Sequence, residues 1–258
     1  MKQELARQYA NLEEWHWWFR GRTRILETVL RRELPDGGSR RLLSIGCGPA
    51  TGLAWLLPFA GPDGSVVGLD IEPLHARNLP SGVKFTIGGL PAAPLSDASF
   101  DVVLALDVLE HLDDDLAGLW SAARLVAPGG LLIVTVPALP SLWGGHDILS
   151  EHRRRYTRKT LQLLFAASSL PPGRISYFNT VLLPMVAAVR WSRRALGLEG
   201  RARSDFDKTR PGVLNEALAR IFGLESLFIN WARLPVGVSL LATCRPAGFS
   251  SYRLRRNP

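Results

Sequence analysis

The chain has 258 residues, 47% of them hydrophobic, with 31 Lys and Arg against 23 Asp and Glu and two cysteines. That is enough apolar material for one large domain or a core with a lid, while two thiols exclude a disulfide framework and favour a reducing cytoplasm. No stretch of about 18 uninterrupted apolar residues occurs, so no membrane-spanning helix is expected.

The amino terminus, MKQELARQYANLEEWHWWF, contains no signal-peptide apolar run, and residues 1–35 read as a helical lid. Trp15, Trp17, Trp18 and Phe19 surround His16, with Glu13, Glu14, Arg20, Arg22 and Arg24 close by. These aromatics cannot all face one side of a helix. They either pack on the edge of a sheet or cover a cleft, where Tyr9 or a Trp would wall a reacting group and Arg20 or Arg22 would meet a carboxylate or phosphate.

An apolar strand, Leu42 to Ile45, then breaks into Gly46-Cys47-Gly48-Pro49-Ala50. Glycine there lets bare backbone approach a ligand and tolerates positive φ. The following Thr51 to Phe59 reads as a helix start, so the turn faces the positive end of a helix. A second strand, Val66 to Leu69, ends in Asp70, placed to accept hydrogen bonds from both hydroxyls of a ribose. A third strand pattern, Ser99 to Leu106, leads into Asp107-Val108-Leu109-Glu110-His111-Leu112. Asp113 to Asp115 read as a helix cap with acids favoured by the dipole. A helix end at Leu125, a Pro128-Gly129-Gly130 turn and the strand Leu131 to Val136 complete the series. Alternating strands and helices call for a doubly wound, mainly parallel seven-stranded sheet with helices on both faces, whose ligands sit at the carboxyl ends of the strands. A dinucleotide site wants a third glycine where this chain has Thr51.

These motifs, in this order over residues 40–137, resemble the class I S-adenosylmethionine-dependent methyltransferases, with their Rossmann-like fold. The resemblance implies S-adenosyl-L-methionine as cofactor and S-adenosyl-L-homocysteine as product. It places Gly46, Cys47 and Gly48 along the methionine part, Asp70 on the ribose and Ile71 on the adenine. Gly89 and Leu90 would hold the adenine by backbone groups and packing, and Leu106 and Asp107 would lie along the cofactor. The chain departs from the pattern at Ser44, Ala50 and Gly89. The HWWF element, with GCG, LEH and an HRRYT-like segment, is also similar to bacterial small-molecule methyltransferases associated with cell-envelope sugars.

After the fifth strand, residues 137–160 form a polar loop carrying His146, Asp147, His152, Arg153, Arg154, Arg155 and Tyr156, with Thr157 able to cap the next helix. The core is expected over 36–170. Residues 171–245 would hold its last strands and an amphipathic helical insertion at 178–232, followed by a basic tail at 246–258. Residues 1–150 hold 12 basic and 17 acidic side chains, whereas 151–258 hold 19 and 6. This asymmetry points to an anionic partner, a membrane surface above all, and the segment 181–194, with Trp191 among arginines, suits an interface. A solvated arginine-rich surface is the plainer alternative.

Methyl transfer needs alignment of the acceptor and, for a hydroxyl, a base. His146, His152 and His111 are the candidate bases, and Trp17, Trp18, Arg22, Arg154, Arg155 and Tyr156 the candidate substrate contacts. No metal-ligand spacing is apparent. The favoured reading is an O-methyltransferase acting on a small or lipid-linked metabolite, of the envelope-saccharide or isoprenoid kind, peripheral to the inner face of the membrane. An RNA or nucleobase methyltransferase is the first rival, disfavoured because the Asn/Asp-Pro-Pro-aromatic signature of amine methylation is absent after Leu106. A non-catalytic cofactor-binding scaffold is the second.

Overall fold

The computed structural model describes residues 12–35, 37–197 and 210–247. Tyr9, the carboxy-terminal tail and part of the expected insertion lie outside these residues.

Seven strands form one sheet: β1 (Arg41–Ile45), β2 (Ser65–Asp70), β3 (Val83–Ile87), β4 (Phe100–Leu106), β5 (Val126–Pro137), β6 (Pro172–Phe178) and β7 (Ser239–Cys244). Their order is β3-β2-β1-β4-β5-β7-β6. The first five run parallel, and β7 pairs antiparallel with both β5 and β6. The expected doubly wound, mainly parallel sheet is therefore present. Its strands are near-continuous apolar runs because helices cover both faces. Leu43, Ile45, Val103, Ala105, Leu132 and Val134 pack on one side with Leu119 and Ala122 of α3 (Asp115–Arg124) and Leu161 and Phe165 of α5 (Arg158–Ala167). Leu42, Val102, Leu104, Leu131 and Ile133 face the other side. They meet Ile25, Leu26 and Leu30 of α1 (Trp17–Glu33) and Phe222 of α7 (Val213–Gly223). Each such aliphatic side chain contributes about 1.5–3 kcal/mol relative to exposure.

Local structure departs from the sequence expectations in two places. Residues 51–59 do not open as an α-helix. Ala50–Leu56 is a 3₁₀ helix, and only Leu57–Ala60, with Pro58 in its first turn, is α-helical (α2). Gly52, a poor helix former, sits at its start. Pro128-Gly129-Gly130 is not a turn between two elements. It lies within β5, where the pairing slips between Phe100↔Val126 and Val102↔Leu131, as a bulge with Gly129 at φ +78°. Strand β6 ends at Phe178, where the insertion is expected to begin, with Ile175, Tyr177 and Phe178 buried. Asp114 and Thr157 cap α3 and α5 through hydrogen bonds from the Ala117 and Thr160 N–H groups.

The aromatic cluster is built into the core. His16 is fully buried and caps α1 by accepting from the Trp18 N–H at 3.2 Å. Trp17 stands edge-on to Phe222, and its N–H donates to Asn215 Oδ1 at 2.8 Å. Burial lowers the His16 pKa to about 4. The native ring is thus neutral where an unfolded histidine would hold a proton, and stability falls as pH drops from 6.5 towards 4. Replacing His16 with Asn, which keeps a cap acceptor, is expected to flatten that dependence by up to about 3 kcal/mol. Urea unfolding at pH 7 and pH 4.5 checks it.

Candidate active site

The carboxyl ends of β1, β2 and β4 meet at a glycine turn. Gly46 (φ +59°) and Gly48 (φ +61°) both occupy the left-handed region, and a Cβ on Gly46 would come 2.7 Å from Val108 Cγ2. The Gly46 and Cys47 N–H groups both donate to Leu69 O, locking the turn to the end of β2. The Cys47 thiol points back towards Gly68 and Leu53 and donates to Gly48 O. Burial, with the charges of Asp70 and Glu13, pushes it well above the thiol range, so Cys47 lines the turn with backbone rather than with a reactive sulfur.

Asp70 ends β2, nearly buried. Its Oδ2 accepts from the Gly48 N–H at 2.9 Å and its Oδ1 from the Glu72 N–H at 3.0 Å, with His75 Nδ1 3.1 Å from Oδ1. Burial pushes the carboxyl up, but His75 and the two backbone N–H groups outweigh it and hold it below the usual range. An ionised carboxylate has about four lone-pair sites, so Oδ2 keeps one for a ribose hydroxyl. Ile71 is 70% exposed beside it, and a Cβ on Gly89 would meet Ile71 alone, at 2.8 Å. Bare turn, anchored acid and an apolar wall next to glycine fit the nucleoside and methionine parts of S-adenosylmethionine.

Leu106 and Asp107 end β4 on the same side. Asp107 takes φ +56°, an uncommon conformation for a non-glycine residue, fixed by donation of its N–H to Thr135 O. Its Oδ2 accepts from Arg22 Nη1 at 2.7 Å, and the Arg22 guanidinium lies 4.3 Å from the centre of the Trp18 ring. The carboxylate that Arg22 meets is therefore one of the chain's own.

The polar loop after β5 comes to the end of β4. Asp147, fully buried in α4 (Gly145–Leu149), accepts from four groups. These are the Gly144 N–H at 2.8 Å, Arg155 Nε at 2.7 Å, Arg190 Nη1 at 3.0 Å and His152 Nδ1 at 3.0 Å. Burial alone would raise its carboxyl, yet His152 and the two guanidinium groups hold it well below the ordinary range. The His152 ring stands edge-on to His111, centroids 4.7 Å apart, and 6.1 Å from His146. His111 is exposed, yet the protein behind its ring, with His152 beside it, lowers its pKa to about 4. Glu110 is buried with neither carboxyl oxygen partnered, and burial with the charge of Asp107 raises its pKa. Glu110, His111 and His152 each bring one ligand-type atom within 4.8 Å of the others, a juxtaposition their sequence spacing conceals.

The expected substrate contacts divide. Arg155 is bound to Asp147 and Ala138 O, and Arg154 to Leu112 O, Asp113 O and Asp115. The buried Tyr156 donates its hydroxyl to Asp115 at 2.8 Å, and Trp17 packs on Phe222. These four build the framework, while Trp18 and Arg22 stand near the β4 tip. Sequence reasoning missed Arg190, which reaches Asp147 from α6 (Leu183–Ala195), and the place of Glu13 against the glycine turn. No local pattern marks either contact.

Residues 43–134 match the profile of a methyltransferase domain family. Over that stretch the chain resembles a methyltransferase domain. The cofactor that goes with this domain is S-adenosylmethionine. A "probable S-adenosylmethionine-dependent methyltransferase" of Mycolicibacterium smegmatis is 32% identical over 144 residues, 55% of this chain and 53% of that protein. A ubiquinone biosynthesis O-methyltransferase of Cereibacter sphaeroides is 39% identical over 113 residues, 40% of this chain and 43% of that protein. The chain thus spans about half the length of the curated relatives it matches. A chain from the complex of the Haloferax volcanii Trm112 methyltransferase activator superposes with a TM-score of 0.60 at 17% identity, covering 95% of both chains; at that identity it shows the fold.

Removing the Asp147 charge would leave Arg155 and Arg190 buried without their counter-ion. The Asp147→Asn protein is expected to lose about 3–5 kcal/mol in denaturant unfolding at pH 7. The deficit shrinks as pH falls through the acid range below the ordinary carboxylate value, where the native carboxylate itself protonates.

Proposed function

We propose that the protein is an S-adenosylmethionine-dependent O-methyltransferase acting on a small or lipid-linked metabolite. The observation that carries this reading is the His152–Asp147 pair, standing beside His111 next to the β4 strand whose tip lines the cofactor turn. Bound there, the cofactor supplies a methyl group activated on a sulfonium, ready for in-line displacement. Asp147 fixes the His152 tautomer with the proton on Nδ1, leaving Nε2 as the acceptor. His152 Nε2 takes the proton from the acceptor hydroxyl as its oxygen becomes the nucleophile. The neutral His111 accepts a hydrogen bond from the same hydroxyl or relays the proton outward. His146, at the loop's edge, is a weaker candidate for the same task. Asp70 and the glycine turn hold the cofactor, and Trp18 and Arg22 close its reacting end.

Binding of S-adenosylhomocysteine by calorimetry comes first, and failure to bind at millimolar concentration would sink the proposal. With hydroxylated quinols and saccharides as acceptors and labelled S-adenosylmethionine, His152→Ala is expected to lower kcat by about 10²–10⁴-fold without changing product affinity. Turnover is expected to survive EDTA. Loss on chelation, restored by Mg²⁺, would reassign Glu110, His111 and His152 to a cation.

Exposed apolar side chains favour a membrane surface as the place of work. No helix of the described residues is long and apolar enough to cross a membrane. The expected interfacial segment is only partly suited to lie on one. Within α6, Met185, Val189 and Trp191 are exposed, but Arg190 and Arg194 turn inward to Leu142, Asp147 and Trp143. More exposed apolar side chains stand on and beside α7 and α8 (Ser226–Ile229): Val213, Leu214, Leu227, Phe228 and the 90% exposed Trp231. Vesicle flotation is expected to bring the protein up with anionic but not neutral lipid at low salt. The double change Phe228→Ser and Trp231→Ser should cut the bound fraction severalfold. Equal recovery of both proteins would remove this face from the membrane contact.

A further inference from the structure

Two buried polar atoms at the mouth of the cofactor cleft have no partner, and their chemistry is complementary. One is Glu13 Oε2, the other Arg22 Nε. Glu13 sits on the bare backbone of the glycine turn. A Cβ added to Gly52 would run into its Oε2, and one added to Gly48 would lie 3.9 Å from its Oε1. Leaving a buried carboxyl oxygen and a buried guanidinium nitrogen unsatisfied costs free energy, and the turn they flank is the one proposed for the methionine part of the cofactor. That part ends in an α-ammonium and an α-carboxylate.

We infer that Glu13 is the acceptor for the ammonium of the cofactor's amino-acid end, with the free Nε of Arg22 beside it for the carboxylate. The inference rests on the proposed cofactor. It also explains why the segment before α1 folds back over the turn: Leu12 O accepts from the His16 N–H at 2.8 Å, and His16 then caps the helix that carries Arg22. Two charged or titratable groups face Glu13, Arg22 from α1 and Cys47 from the turn, and Asp70 at the end of β2 acts in turn on Cys47. Burial raises the Glu13 pKa to about 8, against the opposing charge of Arg22. At pH 7 the carboxyl therefore holds a proton, which it must give up to pair with an ammonium. Binding should release about one proton at pH 7, and affinity should rise with pH between 6 and 7.5.

The experiment is calorimetry with two probes: S-adenosylhomocysteine, which carries the amino-acid end, and 5′-methylthioadenosine, which lacks it. Titrations in buffers of different ionisation enthalpy give the proton count. Glu13→Gln puts a neutral amide where a neutral acid sat, so the empty protein should remain folded. It is expected to weaken S-adenosylhomocysteine roughly 10–100-fold, the size of a charge-assisted hydrogen bond, to leave methylthioadenosine within about twofold, and to abolish proton release. Equal loss for both probes, or no loss, overturns the inference while leaving the cofactor reading intact. Absence of proton release from the unmodified protein also overturns it, whatever the variant does. If the unmodified protein binds neither probe, the cofactor reading fails and this inference with it.

Discussion

Leu42, Leu43, Val102, Val103, Leu131 and Leu132 alternate between the two faces of three adjacent parallel strands, and all six are sealed from water. A sheet buried on both faces has no room for polar chemistry along its length. Polar groups gather where the strands stop, at the carboxyl edge, where chain reversals free backbone N–H groups and require unusual φ. Gly46, Gly48 and Asp107, all at positive φ, mark that edge. The same burial that makes the core stable thus decides where a ligand can be held.

The carboxyl groups collected there are treated unequally. Asp70 is satisfied by two backbone N–H groups and His75, Asp107 by Arg22, and Asp147 by two guanidinium groups, an imidazole and a backbone N–H. These three carry fixed negative charge in fixed places. Glu13 and Glu110 have buried oxygens without partners, and burial raises the pKa of both. A buried, unpartnered acid is a cost that packing elsewhere must offset. Fixed acids orient groups that do not move, whereas neutral acids can change protonation when a ligand arrives.

The glycine turn and the acid at the end of β2 were legible because their constraints are local: a turn needs positive φ within a few residues of a strand. Caps at Asp114 and Thr157 were legible for the same reason. The bulge in β5 was not, since Pro-Gly-Gly marks a turn and a bulge equally well and only pairing with β4 separates them. The tips of β1 and β2 and the β4 strand showed in sequence, but the Asp147 cluster draws Arg190 from 43 residues away and Asn215 joins Trp15 and Trp17 across about 200. Contacts of that range follow from how helices dock, which no short pattern encodes.

Charge counting alone does not show where the charges lie. Residues 151–258 carry 19 basic and 6 acidic side chains, which suggests a surface seeking anions. Five of those arginines are bound within the protein. Arg155 and Arg190 serve Asp147, and Arg154 serves Asp115 and two carbonyls. Arg158 and Arg174 donate to the carbonyls of Leu234, Asn230 and Ala232. A guanidinium carrying five donors in a fixed fork suits closing loops onto carbonyls as well as binding phosphate. Under the proposed function, with Arg154 and Arg155 committed in this way, the loop would offer an acceptor the His111–His152 pair rather than a phosphate clamp. That argues for a neutral hydroxylated acceptor over an anionic one at this site.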